Sequence, residues 1–154
     1  KAFEITDYLL KCSAGRLSEA TLHRVSSLMR VVAEMEDICD RGNRLVMLAE
    51  RKSRKNRQLP AETMKQIRDF ADLLFRCLAF SALFIGGTPT AETAYQLEAL
   101  IDQSRKRLRK ESMRRMQLGG EAVKAEMLYI DILNNMESIG NHSLNILQAL
   151  RHAT

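Results

Sequence analysis

Apolar residues recur at spacings of three and four along most of the chain, which is the pattern of amphipathic helices. Gly and Pro interrupt it at four points: Ala14-Gly15, Leu59-Pro60, Gly86-Gly87 and Gly119-Gly120. The pattern predicts helices over residues 1–13, from Ser18 toward Arg57, from Pro60 to Ile85, from Thr88 onward, and from Glu121 to about His152. We therefore expect an all-α protein built as an antiparallel helical bundle.

The helices group into two units. Residues 59–154 contain three long helices joined by short breaks, which predicts a complete three-helix bundle. Residues 1–58 contain only two helices, so we expect an incomplete second bundle whose third helix lies upstream in a longer chain. Between Met64 and Ile85 the apolar positions cover almost the whole circumference, so the helix must be covered on most sides. We expect it to be the central helix of a bundle; the alternative is a helix that contacts the rest of the parent protein or a second copy of the domain.

The two units also share a sequence pattern. A shift of 101 residues pairs Met35 with Met136, Glu36 with Glu137, Ile38 with Ile139 and Asp40 with Asn141. Such self-similarity indicates an internal repeat. In each copy a Glu is followed four residues later by a side chain with an oxygen atom, on the same helix face.

These polar residues fall among apolar ones. At about 100° per residue, Glu36 and Asp40 lie within a stripe formed by Leu22, Val25, Met29, Val32 and Met47, and Glu137 and Asn141 lie within one formed by Val123, Ile130, Leu133 and Leu144. A buried carboxylate needs a partner. A facing Arg or Lys, water, or a divalent or iron-type metal ion would each serve, and oxygen ligands favour Mg, Mn or Fe. Glu98 and Asp102 repeat the spacing and could complete a site.

The second copy resembles a known family. Met136-Glu137-x-Ile139-Gly140-x-His142-x-x-Asn145-Ile146 is similar to the last helix of a PhoU repeat, whose signature reads roughly Leu-Glu-Arg-Ile-Gly-Asp-His-x-x-Asn-Ile. Upstream, Glu4-Ile5-Thr6-Asp7-Tyr8 and Leu17-Ser18-Glu19 look like the end of a preceding repeat. The chain departs from the signature at Cys39 and Arg41 in the first copy and at Ser138 and Asn141 in the second.

The resemblance is strongest to the PhoU-like domain that follows the membrane part of bacterial sodium/phosphate cotransporters. It implies a cytosolic domain at the inner membrane that regulates phosphate uptake and does not conduct the ion. It also implies that metal could bind at the Glu-x-x-x-Asp motifs. The membrane part of the parent transporter would then be the main partner, and the exposed face of an incomplete bundle would suit a homodimer.

Composition and charge limit the partners that we expect for this chain. Lys and Arg number 24 and Asp and Glu 19, a net charge of +5. The basic runs at 51–57 and 105–115 could face anionic lipid, although charge runs are usually solvated helix surfaces. They contain no interleaved aromatic residues and match no docking motif, so we expect no nucleic-acid partner. Three cysteines without CxxC spacing predict neither a disulfide framework nor a zinc knuckle.

Three other functions stay open. The chain could be a free-standing phosphate-signalling regulator of the same fold, or a purely structural helical interaction module. A carboxylate-bridged metalloenzyme would need Glu-x-x-His pairs, which the sequence lacks. No nucleophile elbow, P-loop or HExxH motif is present either, and we expect no enzymatic activity.

Overall fold

A computed structural model of the chain describes residues 1–15, 17–85, 91–117 and 119–151. In these residues it contains α-helices and no strand, which confirms the all-α prediction. The helices are α1 (Ala2–Cys12), α2 (Glu19–Arg54), α3 (Ala61–Ile85), α4 (Ala91–Met116) and α5 (Glu121–Arg151). No helix in this part of the chain is long and apolar enough to cross a membrane.

The start of α2 follows the predicted capping. Ser18 has extended backbone angles, and its hydroxyl accepts a hydrogen bond of 3.2 Å from the backbone N–H of Thr21. The helix then runs unbroken for 36 residues, about 54 Å at the usual rise. It ends at Arg54, earlier than the expected Arg57, and Asn56 takes a positive φ of 44° just after it.

The other helix ends agree with the breaks where the structure describes them. Pro60 directly precedes α3, and its carbonyl accepts a hydrogen bond from the backbone N–H of Met64. Gly119 and Gly120 both have positive φ, at 74° and 62°, in the turn before α5. The stop expected at Gly86-Gly87, the cap at Thr88 and the end near His152 lie outside the described residues.

Helix α5 is the centre of the fold, because it packs against α2, α3 and α4, whereas α1 packs against α2 alone. Helices α3, α4 and α5 also contact one another pairwise and form the predicted three-helix bundle. The main core lies between them and consists of Phe70, Leu74, Cys77, Ile101, Leu108, Tyr129, Leu133, Met136, Leu144 and Leu147. The prediction of a central helix at 64–85 is wrong: α3 leaves Phe75 and Leu83 exposed, since it has neighbours on only part of its circumference.

Helix α2 uses a different face from the one predicted. Its contact with α5 is built on buried Val31 and half-buried Ile38, which pack against Ile146 and Ala149. The stripe expected to be buried is open at both ends, where Leu22 and Met47 are exposed. Helix α1 has no buried residue. The division of the chain at 58/59 into an incomplete and a complete repeat stays a prediction.

Candidate functional site

The Glu137–Asn145 segment of α5 contacts all three neighbouring helices. Glu137 faces Arg105 of α4, Gly140 lies against α3 and α4, His142 contacts Glu34 of α2, and Ser143 hydrogen-bonds to Ser81 of α3. Residues three or four apart share a helix face, whereas neighbours in sequence point in different directions. A short motif on a central helix can therefore determine contacts with several helices at once.

One arginine joins two of the predicted acidic residues, Asp102 of α4 and Glu137 of α5. The Arg105 guanidinium donates a hydrogen bond of 2.8 Å to Asp102 Oδ1, and its buried Nε lies 2.9 Å from Glu137 Oε1 in an ion pair without a hydrogen bond. Lys106 lies 2.6 Å from the other oxygen of Asp102. Hydrogen bonds from Lys106 and then Arg105 lower the pKa of the Asp102 carboxyl. The ion-pair alternative thus accounts for Asp102 and Glu137, and a metal at these residues stays a prediction.

The other predicted ligands face solvent. Glu36, Asp40, Glu98 and Asn141 are exposed. The expectation that Glu36 and Asp40 lie in a buried apolar face is wrong, because α2 meets α5 through the face that carries Val31 and Ile38. Because the carboxylates of Glu36 and Asp40 stay in contact with water, they have no desolvation cost that a partner must offset. Within the described residues, the predicted positions form no cluster of three acidic, histidine or cysteine side chains close enough to share an ion.

The structure brings together a polar group that the sequence analysis did not predict. At the crossing of α2 and α5, His142 Nδ1 lies 2.7 Å from Glu34 Oε2 and 3.8 Å from Asp37 Oδ2. The side-chain amide of Asn145 donates a hydrogen bond of 3.1 Å to the same oxygen of Glu34. The sequence contains one signal for this polar group. His142 and Asn145 are three residues apart, as are Glu34 and Asp37, and residues three apart share a helix face.

Small residues allow α5 to approach α3 closely. A Cβ atom on Gly140 would lie 3.0 Å from Ile101 Cδ1 and 3.1 Å from Leu74 Cδ2. Three residues later, the buried hydroxyls of Ser143 and Ser81 are 2.6 Å apart, and Ser81 also lies 3.0 Å from the Ser143 carbonyl. Burial raises the pKa of the neighbouring Cys77 thiol. The Gly140–Ser143 face of the motif thus serves packing and hydrogen bonding inside the bundle.

Residues 76–150 match the sequence model of the PhoU domain. The chain contains a PhoU-like domain. The matched range begins in the second half of α3, includes α4 and ends one residue before the end of α5. It therefore contains the whole Glu137–Asn145 segment of α5, which contacts the three neighbouring helices. Searches of curated proteins and of solved structures found no match.

The PhoU-like domain also contains a buried polar network that was not predicted. Glu126 is 3% exposed, and its carboxylate accepts hydrogen bonds from Ser112 Oγ at 2.6 Å and from Arg115 Nε at 2.6 Å and a terminal nitrogen at 3.0 Å. The Arg115 guanidinium also lies over the Tyr129 ring, 5.3 Å from its centre. The Tyr129 hydroxyl donates a hydrogen bond of 2.9 Å to the Gln66 side chain. The network joins α3, α4 and α5 at the end of the bundle that carries the Gly119-Gly120 turn.

Tyr129 makes the stability of this end of the domain sensitive to alkaline pH. Burial, the largest cause, raises the pKa of Tyr129 to about 12 from its ordinary value of 10.0. The fold therefore favours the neutral phenol: this contribution is complete below pH 10.0 and is lost as the pH rises toward about 12. Two pKa units correspond to roughly 3 kcal/mol at most. The decline should be visible in urea unfolding measured across that range.

The matched variant is Tyr129→Phe. At pH 8 it should be less stable than the native chain by about 1 kcal/mol, because the hydrogen bond to Gln66 is lost. The difference between the two proteins should shrink above pH 10.0 and reverse in sign before the pH reaches about 12, because ionisation of Tyr129 costs the native chain more than the hydrogen bond contributes. A difference that stays constant over the whole range would show that Tyr129 ionises as easily in the folded as in the unfolded chain.

Proposed function

We propose that this chain is a regulatory domain of a sodium-dependent phosphate cotransporter, located on the cytoplasmic side of a bacterial inner membrane. It would modulate phosphate uptake without conducting phosphate and without enzymatic activity. The observation that carries the proposal is the match of residues 76–150 to the PhoU domain, which indicates a phosphate-related regulatory role. The transporter context is the further step, and it rests on the resemblance of the wider sequence.

Exposed apolar side chains offer a surface for a partner. Helix α1 exposes Phe3 (83%), Ile5, Tyr8 (66%) and Leu10, and α2 exposes Leu22, Leu28, Met35, Val46 and Met47. Single exposed apolar residues are common, but an extended set on adjacent helices favours an interaction. We propose that this surface contacts the membrane part of the parent transporter, with a homodimer as the alternative arrangement.

The basic runs support a position near anionic lipid. In the first run, Arg51 and Arg54 are exposed near the end of α2. In the second, ion pairs hold Arg105 and Arg115 against the bundle, while Arg109, Lys110 and Arg114 are exposed. Each basic residue close to an anionic membrane contributes about 1 kcal/mol. A few exposed residues in each run would therefore orient the domain without anchoring it strongly.

We also propose that α2 binds a metal ion at its Glu-x-x-x-Asp motif. Glu36 and Asp40 lie one helical turn apart and are both exposed, so a divalent or iron-type ion can reach them from solvent. At the second copy, Arg105 supplies the positive charge next to Glu137. Metal at Glu137, Asn141, Glu98 and Asp102 would have to displace this arginine or bind beside it.

Phosphate uptake in cells tests the proposal. The complete reading frame that contains this segment would be expressed in a bacterial strain without its own phosphate transporters, with and without residues 1–154. With the segment present, sodium-dependent uptake of labelled phosphate should fall severalfold when cells are loaded with phosphate. Without the segment, uptake should continue and the response to phosphate loading should be lost.

Two outcomes would contradict the proposal. A reading frame without membrane-spanning segments would point to a free-standing phosphate-signalling regulator. Identical uptake and identical phosphate response with and without the segment would leave only a structural interaction module. Immunodetection of both proteins in the membrane fraction is the control for expression.

A further inference from the structure

The crossing of α2 and α5 contains three metal-ligating side chains from distant parts of the chain. Glu34, Asp37 and His142 each offer one ligand atom, and these three atoms all lie within 4.8 Å of one another. We propose that they bind a divalent transition-metal ion, such as Zn²⁺, Fe²⁺ or Mn²⁺, which links α2 to the PhoU-like domain. This site is distinct from the Glu36–Asp40 pair and does not depend on the transporter role.

The donor set determines the class of ion. One imidazole nitrogen and two carboxylates suit first-row transition metals, whereas Mg²⁺ and Ca²⁺ prefer oxygen ligands alone. The two carboxylates together carry a charge of about −2, which a divalent ion neutralises. His142 Nδ1 faces both carboxylates, 2.7 Å from Glu34 Oε2 and 3.8 Å from Asp37 Oδ2. An ion bound to Nδ1 would take the place of the direct contact between His142 and Glu34.

The surroundings hold the ligands in place and leave one side open. Glu34 and His142 are largely covered, with side chains 13% and 20% exposed, and Asn145 donates a hydrogen bond to Glu34 Oε2. Such hydrogen bonds orient ligands around a metal. Arg30 Nε lies 3.8 Å from the other oxygen, Oε1, and the Arg30 side chain is half exposed. Asp37 is 57% exposed, which provides access from solvent and room for water ligands.

Cobalt binding tests the site, because Co²⁺ accepts both nitrogen and oxygen ligands and reports its ligands in its absorption spectrum. The complete chain, freed of metal by a chelator, would be titrated with Co²⁺ and followed by visible absorption and proton NMR. We expect one tight equivalent, not displaced by excess Mg²⁺, and a paramagnetically shifted imidazole N–H signal. Glu34→Gln, Asp37→Asn and His142→Gln should each weaken binding about tenfold or more.

The matched control is Glu50→Gln, which removes an exposed carboxylate on the same helix outside the cluster. It should leave the affinity within about twofold, since Glu50 does not belong to the ligand group. Circular dichroism and metal-free thermal unfolding show whether each variant is folded. A folded His142→Gln chain that lacks the shifted imidazole signal and binds Co²⁺ weakly would support the site.

Other results would overturn it. Unchanged affinity in both Glu34→Gln and His142→Gln would exclude these ligands. Loss of binding in Glu36→Gln and Asp40→Asn alone would place the ion on the exposed pair. Thiolate-to-cobalt charge-transfer absorption that disappears in Cys39→Ser would place it on that exposed cysteine. No detectable binding at millimolar Co²⁺ would show that the cluster is only an ion pair between the helices.

Discussion

Replacing Glu126 by Ala is expected to lower the free energy of unfolding of the PhoU-like domain by about 3 kcal/mol. Its carboxylate is buried and accepts three hydrogen bonds, two from Arg115 and one from Ser112. In the alanine variant the Arg115 charge loses its counter-charge while it stays packed against Tyr129, and the fully buried Ser112 hydroxyl loses its acceptor. The expected cost lies at the lower end of the range for removing one partner of a buried ion pair. The reason is that the Arg115 side chain is 26% exposed and keeps some contact with water.

Urea unfolding at pH 7 measures this effect, and two variants make it interpretable. Glu126→Gln keeps the shape and an acceptor for Ser112 but loses the charge, so it should cost less than Glu126→Ala, about 1.5 kcal/mol. Glu50→Ala removes an exposed glutamate from α2 and should change stability by less than about 0.5 kcal/mol. Equal stability of Glu126→Ala and Glu50→Ala would mean that the network contributes nothing net, as some buried ion pairs do.

Much of the fold could be predicted from local signals. Ser18 as a cap, Pro60 at the start of α3 and the paired glycines before α5 determine backbone conformation within a few residues, and each acts as predicted. The bundle of α3, α4 and α5 follows from three long helices and short connections. These features depend on near neighbours in sequence, so they can be deduced without knowledge of tertiary contacts.

The choice of helix face could not be predicted in the same way. Helix α2 carries apolar residues on two faces, and periodicity alone does not show which face meets α5. The face used includes Glu34, which looks unfavourable in sequence because a half-buried carboxylate is costly. Its partners, His142 and Asn145, are more than 100 residues away along the chain. The compensation is visible only when both helices are seen together, and the same holds for Glu126.

The internal repeat explains one residue of the motif in physical terms. The overlay places Gly140 of α5 on Cys39 of α2. Gly140 is buried where α3 and α4 both approach α5, and a Cβ there would meet Ile101 and Leu74 at 3.0 and 3.1 Å. Cys39 is exposed, so the larger side chain meets no such restriction. The two copies thus differ at this position because, in the described structure, neighbouring helices crowd Gly140 but leave Cys39 exposed.

Gly140→Val is accordingly expected to destabilise the domain by about 3 kcal/mol. The first added carbon already presses on two core side chains, and the two further methyl groups must displace Ile101, which is 2% exposed, and Leu74, which is 5% exposed. Val and Gly differ little in helix propensity, so the backbone term is small. Thermal and urea unfolding at pH 7 measure the loss.

Gly42→Val is the matched control within α2, because a Cβ at Gly42 meets nothing within 4 Å. Its stability should stay within about 0.5 kcal/mol of the native chain. If Gly140→Val were as stable as Gly42→Val, Ile101 and Leu74 could move apart without loss, and the approach of α3 and α4 to α5 would not depend on a glycine. If only Gly140→Val loses stability, the glycine of the motif is required by the contact of three helices at one point, and metal or phosphate binding plays no part in that requirement.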